Sequence, residues 1–143
     1  MDAPLLARSI VTAVAAGQGA APLFIDLNRT HATNPLWPGH ARFHVVWQTL
    51  TQTLLAAAEV ALIWWPGHGV TQRFYLAAIL TAIPMGAFFA AMAARGLYRG
   101  TLHDRNGIAP VPVSIFGHTF QINMNLVMIV VGSALVVASA FLF

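Results

Sequence analysis

The sequence predicts an all-α, polytopic membrane protein: a four-transmembrane-helix bundle with two long polar loops on one side, built as a single domain over residues 1–143. Three observations lead there. Of the 143 residues, 58% are hydrophobic and 8% charged, whereas a soluble domain carries roughly 25% charged residues to keep its surface in water. Four apolar stretches reach the ~20 residues that an α-helix needs to cross a hydrocarbon core of about 30 Å. The polar residues gather in the first and third connections, which an up-and-down bundle brings to the same end.

Within such a core every backbone N–H and C=O must be paired inside its own segment, so each stretch is read as helix. The first runs from Pro4 to Ile25, broken only by Arg8 near its start and softened by Gly17, Gly19 and Pro22. A cleaved signal segment is the alternative there, because Ala20-Ala21 follows an apolar core, although Asp2 is wrong for a basic leader. The second stretch, Phe43 to Trp65, closes on two interfacial tryptophans followed by Pro66-Gly67, a helix stop. The third, Phe74 to Ala94, is uncharged and carries Pro84 and Gly86, which predicts a kink near its middle. The fourth, from about Phe116 to Phe143, is expected to have two polar turns before an unbroken apolar run from Leu126.

The connections are unequal. Pro66 to Gln72 is a tight turn, while Asp26 to Arg42 and Arg95 to Ile115 are long. In the latter, Thr101 to Val113 reads as a small hairpin or ordered loop turning at Asn106-Gly107. The long loops hold Arg29, Arg42, Arg95, Arg99 and Arg105 against Arg8 and Arg73 at the other end. Positive-inside bias therefore puts the loops in the cytoplasm and both termini on the opposite side.

Charge and composition exclude several classes of function. The high isoelectric point reflects only four acids, Asp2, Asp26, Glu59 and Asp104, not a basic tract, so nucleic acid is not an expected partner. There is no cysteine, which removes disulfide and thiolate chemistry. A phosphate-binding glycine loop, a nucleophile elbow and a zincin motif are all missing. Histidine is the excess, with six at positions 31, 40, 44, 68, 103 and 118.

Those histidines direct attention to the first loop, which combines Asp26, Asn28, Thr30, His31, Asn34, Trp37, His40, Arg42 and His44 with two prolines. His40 and His44 are four residues apart at the start of a helix, so both imidazoles share one face and form a candidate metal-ligand pair. Asp26, His31, His103, Asp104 and His118 are expected at the same end as further ligands or proton carriers. At 100° per residue, His44, Gln48, Thr51, Gln52, Leu55 and Glu59 fall within about 100° of arc, a polar stripe that ought to turn away from lipid. Interhelical hydrogen bonding explains the Gln and Thr members equally well. Glu59 is the stronger functional candidate, a carboxyl at bilayer depth expected to be neutral and proton-donating. His118, Gln121 and Asn125 are expected to answer from one face of the fourth helix, with Tyr98 at the mouth as hydrogen-bond donor or membrane anchor.

The string Asp26-x-Asn28-x-Thr30-His31-x-x-Asn34-Pro35-x-Trp37-Pro38-x-His40-Ala41-x-Phe43-His44 resembles an uncharacterised family of small four-helix membrane proteins found in fungi and bacteria. A second resemblance, carried by Ala41-Arg42-Phe43-His44, is to the styrene oxide isomerases, four-helix membrane enzymes that bind haem b and rearrange epoxides to aldehydes. Tyr98 and Arg105-Asn106-Gly107 are similar to a tyrosine and turn of that family. The chain differs from it after the histidine, where Val45-Val46 replace small residues. This resemblance implies His44 as axial ligand of haem b.

The expectation drawn from these readings is a membrane-embedded enzyme acting on a small apolar substrate at a His-ligated haem b or non-haem metal. His44, His40 and Arg42 would bind the cofactor; Tyr98, Asp26, His31 and Glu59 would act on substrate. Gln48, Gln52, Asn34, His103, Asp104, His118, Gln121 and Asn125 would line the pocket. A lipid-, quinone- or pigment-binding protein, or an accessory subunit of a larger complex, is the alternative. Membrane lipid is an expected partner, as is a second copy of the chain, because Ala13/Gly17/Ala21 and Gly86/Ala90/Ala94 make small-residue faces.

Overall fold

The computed structural model describes residues 2–103 and 107–143. The chain runs α1 (Ala3–Ile25), α2 (Gly39–Trp64), α3 (Val70–Ala94), β1 (Val111–Ile115), β2 (His118–Ile122) and α4 (Met124–Leu142). Helices α2, α3 and α4 are each long and apolar enough to cross a membrane. Helix α1 is comparably long, with 23 residues, but includes Arg8 and Gln18 and is not among those three.

Helix α1 starts where Asp2 accepts the backbone N–H of Leu5 at 2.9 Å, with Pro4 in the first turn where a missing N–H costs nothing. Its buried residues Ala7, Val11, Ala15 and Gly19 recur every fourth position and make a seam of small side chains. The seam brings α1 onto α2 so closely that a Cβ on Gly19 would lie 2.5 Å from that of Ala56. The same approach lets the Thr53 hydroxyl donate to the Gly19 carbonyl at 2.8 Å. Helix α1 also packs on α4, α2 on α3, and α3 on α4, so the four helices form a closed ring of neighbours.

Two arginines finish the other end of α2. Arg8 donates to the Ile63 carbonyl at 2.6 Å and lies over the Trp64 ring, whose indole N–H reaches Thr12. Arg73 donates to the carbonyls of Leu62, Trp65 and His68. Cations there meet the unpaired carbonyls and negative pole of the α2 C-terminus. The core between the helices holds Ile63, Phe74, Ala77, Met85 and Val136, with Phe143 stacked on Phe74 at 4.0 Å between ring centroids. Pro84 lies inside α3, which runs unbroken through it from Val70 to Ala94.

The expected fourth helix begins later than the sequence reading has it. Residues 116–123 are not helical: β1 and β2 form an antiparallel hairpin pairing Val111 with Ile122 and Ile115 with His118. Its two-residue turn is Phe116-Gly117, both at positive φ, +49° and +79°, the primed geometry that matches strand twist. The turn read at Asn106-Gly107 falls partly outside the described residues, which exclude Asp104, Arg105 and Asn106. Alternation of Val111, Val113 and Ile115 with polar or small neighbours is a period of two, and only Asn123, accepting Leu126 N–H at 3.0 Å, starts the helix.

The Gly19 contact makes a direct prediction. Gly19→Ala forces the α1 and α2 backbones apart and costs about 1–3 kcal/mol of unfolding free energy in detergent. Gly17→Ala, on a face with nothing within 4 Å, stays within about 0.5 kcal/mol.

Candidate functional site

The polar groups of the first loop are largely used by the loop itself. Asn28 donates to the Phe24 and Ile25 carbonyls at 2.7 and 2.9 Å, closing the C-terminus of α1. Its carboxamide oxygen accepts from the Thr30 N–H and hydroxyl, each at 2.8 Å. Asn34 is 2% exposed; it donates to the Thr30 carbonyl and accepts from Leu36 N–H at 3.0 Å. The His31 ring meets Trp37 edge-on at 5.1 Å. Its Nδ1 lies 2.8 Å from the Thr30 hydroxyl and 3.7 Å from Asp26 Oδ1. Both partners therefore address the same ring nitrogen, which is unlike a relay in which a carboxylate and a nucleophile occupy opposite nitrogens. Burial pushes the Asp26 carboxyl above its ordinary value of 3.8, with the His31 charge pulling the other way.

Helix α2 carries the rest. His40 and His44 bring their Nε2 atoms to 3.0 Å, with the rings at 85°. That separation is a hydrogen bond between the two rings, one Nε2 donating and the other accepting. Among the described residues no third His, Asp or Glu joins them to complete a ligand cluster. Arg42 is half-buried in the first turns of α2.

Two recesses open on α2 and α3. The first, about 420 Å³, is lined by His44, Trp47, Gln48, Thr51, Gln52 and Leu55 of α2 and by Ile83 and Pro84 of α3. Most of the stripe read from the sequence thus faces one groove. The second recess, about 280 Å³, lies between Gln48, Phe88, Met92, Arg95, Tyr98, Thr101, Leu102 and Asn125, with Ala91 and Gly100 completing its wall. Gln48 borders both. The Tyr98 hydroxyl donates to the Ala91 carbonyl at 2.7 Å, and the Thr101 hydroxyl to the His103 carbonyl at 2.8 Å. A side chain on Gly100 would collide with the Tyr98 ring, so glycine is what lets the tyrosine lie along the rim.

Glu59 belongs to neither recess. It is 1% exposed, one turn beyond Leu55, and its Oε2 accepts from the Thr81 hydroxyl at 3.0 Å. The same hydroxyl reaches the Ala77 carbonyl at 2.8 Å, so one proton serves two acceptors. Glu59 Oε1 has no partner among the described residues.

The structure thus brings His44, Gln48 and Gln52 to one groove and Gln48, Tyr98 and Asn125 to the other. Neither lining includes Asp26, His31, Asn34, His40, Arg42, Glu59, His103, His118 or Gln121. His103 is exposed, and Asp104 lies outside the described residues. His118 and Gln121 sit in β2 opposite Ile115 and Pro112, so the helical arc drawn through them and Asn125 does not exist. Arg95 and Thr101 were not singled out by sequence pattern as site residues. Phe88, Met92 and Arg95 at i, i+4 and i+7 would have marked the face of α3 that carries them. Comparison with protein-family models, curated proteins and solved structures finds no match to this chain.

Two measurements follow from this geometry. Because folding raises the Asp26 value, the folded state holds that proton more tightly; its stabilising contribution is full below pH 3.8 and is lost as pH rises through the raised value. Asp26→Asn is expected to remove this limb from a plot of thermal stability against pH. Glu59→Gln, which keeps an acceptor for Thr81, is expected to unfold within about 1 kcal/mol of the parent. Glu59→Ala opens a void and loses about 2 kcal/mol or more in the same denaturation assay.

Proposed function

We propose that this protein is a membrane-embedded binder of a small, largely apolar molecule, which enters laterally from the bilayer and lies in the grooves between α2 and α3. In this reading α1 is a fourth span, the two long loops lie together on the cytoplasmic side, and the termini lie opposite. The observation that carries it is Gln48, a polar side chain bordering an apolar-walled groove on each side. Ligand sites of this kind pair apolar walls with a few convergent polar groups. Leu55, Ile83, Pro84, Phe88 and Met92 supply the walls, and Gln48, Gln52 and Asn125 supply the hydrogen bonds. The small-residue faces Ala13/Gly17/Ala21 and Gly86/Ala90 are uncovered in the single chain, which supports assembly with further copies.

His44 supports a second, catalytic reading, because it lines the first groove and its Nε2 converges with that of His40. The pair would hold a metal, or His44 alone haem b, and a bound iron would supply Lewis acidity toward an epoxide oxygen. The chain's own part would be to orient the substrate through the Gln48 amide and to exclude water with Trp47 and Leu55.

Native mass spectrometry of the detergent-purified protein, with a visible spectrum and elemental analysis, tests both readings. A co-purified organic molecule that is lost or weakened about tenfold in Gln48→Leu is expected under the first. A Soret band or stoichiometric metal abolished by His44→Ala, with turnover of an epoxide, is expected under the second. A protein with no bound organic molecule and no metal, unresponsive to added apolar ligands, would end both.

A further inference from the structure

We infer that the molecule held beside Gln48 is an anionic amphiphile, a single acyl chain ending in a carboxylate, and that Arg95 selects its head group. The inference rests on the binding reading above and adds the ligand's chemical class.

Arg95 follows the last turn of α3 and lines the second recess. Its situation differs from that of the arginines at the opposite end. Arg8 and Arg73 are occupied by main-chain carbonyls, whereas the Arg95 guanidinium makes no hydrogen bond or ion pair among the described residues. Among the described residues, none that lines either recess is acidic. A fixed positive charge therefore stands at the polar end of an apolar-walled recess without a counter-charge from its walls.

The neighbouring polar groups sort by what they have left to offer. The Tyr98 and Thr101 hydroxyl protons are already donated to the carbonyls of Ala91 and His103. The Gln48 and Asn125 amides remain as donors beside the guanidinium. Their carbonyl oxygens and the hydroxyl lone pairs serve an alcohol equally well, so what favours a carboxylate here is the Arg95 cation itself. The guanidinium fork also matches the two oxygens of a planar carboxylate in a way that a point charge does not.

The tail has a place as well. From Arg95 back to Pro84 is eleven residues of sequence, about 16 Å along the helix, and the intervening surface offers Met92, Phe88 and then Ile83. Placed with its head at Arg95, an acyl chain would run from the interface toward the middle of the bundle, in the direction lipid chains already take.

The test uses the full chain in nanodiscs of phosphatidylcholine, with cis-parinaric acid as fluorescent probe. Hexadecanoic acid, hexadecanol and dipalmitoyl phosphatidic acid serve as competitors. Hexadecanoic acid is expected to displace the probe about tenfold better than hexadecanol, the margin of one charge-assisted pair over a neutral one. Arg95→Gln is expected to erase that margin, Arg95→Lys to keep part of it, and Arg29→Gln, exposed in the first loop and outside both recesses, to leave it unchanged. Circular dichroism and gel filtration confirm that each variant is folded. Equal displacement by acid and alcohol, or a margin that survives Arg95→Gln, overturns the head-group assignment while the groove reading stands. Stronger displacement by phosphatidic acid than by hexadecanoic acid overturns the single-chain carboxylate in favour of a membrane phospholipid. Probe binding absent altogether, with no displacement by any competitor, removes the groove reading itself.

Discussion

The contact on which the rest of the arrangement depends is the seating of α1 against α2 at Gly19. Between helices in lipid there is little hydrophobic gain from contact, since acyl chains are as apolar as leucine, and association rests on close packing and on hydrogen bonds. Gly19 supplies both. Its missing side chain lets Ala56 approach, and its carbonyl takes the proton of Thr53. Once the Ala7–Gly19 seam covers one face of α2, the adjacent edge of α2 is left for α3, and that edge is the one carrying His44, Gln48, Gln52 and Glu59. At the deep end the two helices close over Glu59 and Thr81. Toward the loops they leave the recesses.

The helical part of this arrangement is legible in the sequence because lipid-length apolar runs admit so few structures. Trp64-Trp65 and Pro66-Gly67 mark the end of the second span, and the structure ends α2 there. The stretch before α4 is not legible in the same way. His118-Thr-Phe-Gln-Ile122 is short and half apolar, and five residues of that kind suit either period. What decides it is the partner strand Val111–Ile115, its paired positions three to eleven residues upstream, together with a glycine able to turn the chain at 117. A helical wheel drawn through a strand gathers residues that the real backbone sends to opposite faces.

The site was legible where it lies on helices and misleading where it lies in the loop. Gln48 and Gln52 come from the periodicity of α2; Tyr98, read from its place after the third span, and Asn125, drawn into an arc that the hairpin removes, also line a recess. The first loop looks rich in reactive groups because its composition is that of a catalytic centre, yet the hydrogen bonds described for Asn28, Thr30 and Asn34 stay within the loop and the last turn of α1. Thirteen residues crossing between helix ends carry many polar backbone atoms, and carboxamides and hydroxyls are the side chains that mimic turns most readily. A dense polar motif can therefore be an architectural device for holding a connection in one shape. Arg95 escaped notice for the opposite reason: it reads as one more flanking charge until α3, Thr101 and the start of α4 are seen around it.

Gln48 stands between two recesses, and this gives one position an unusual evolutionary weight. A change there alters the shape of both at once, so neither can drift independently of the other while residue 48 remains their common partition. Variation among related chains should then appear first at the outer walls, at positions such as Thr51 or Leu102 that belong to a single recess, with the partition changing only when both neighbours change with it.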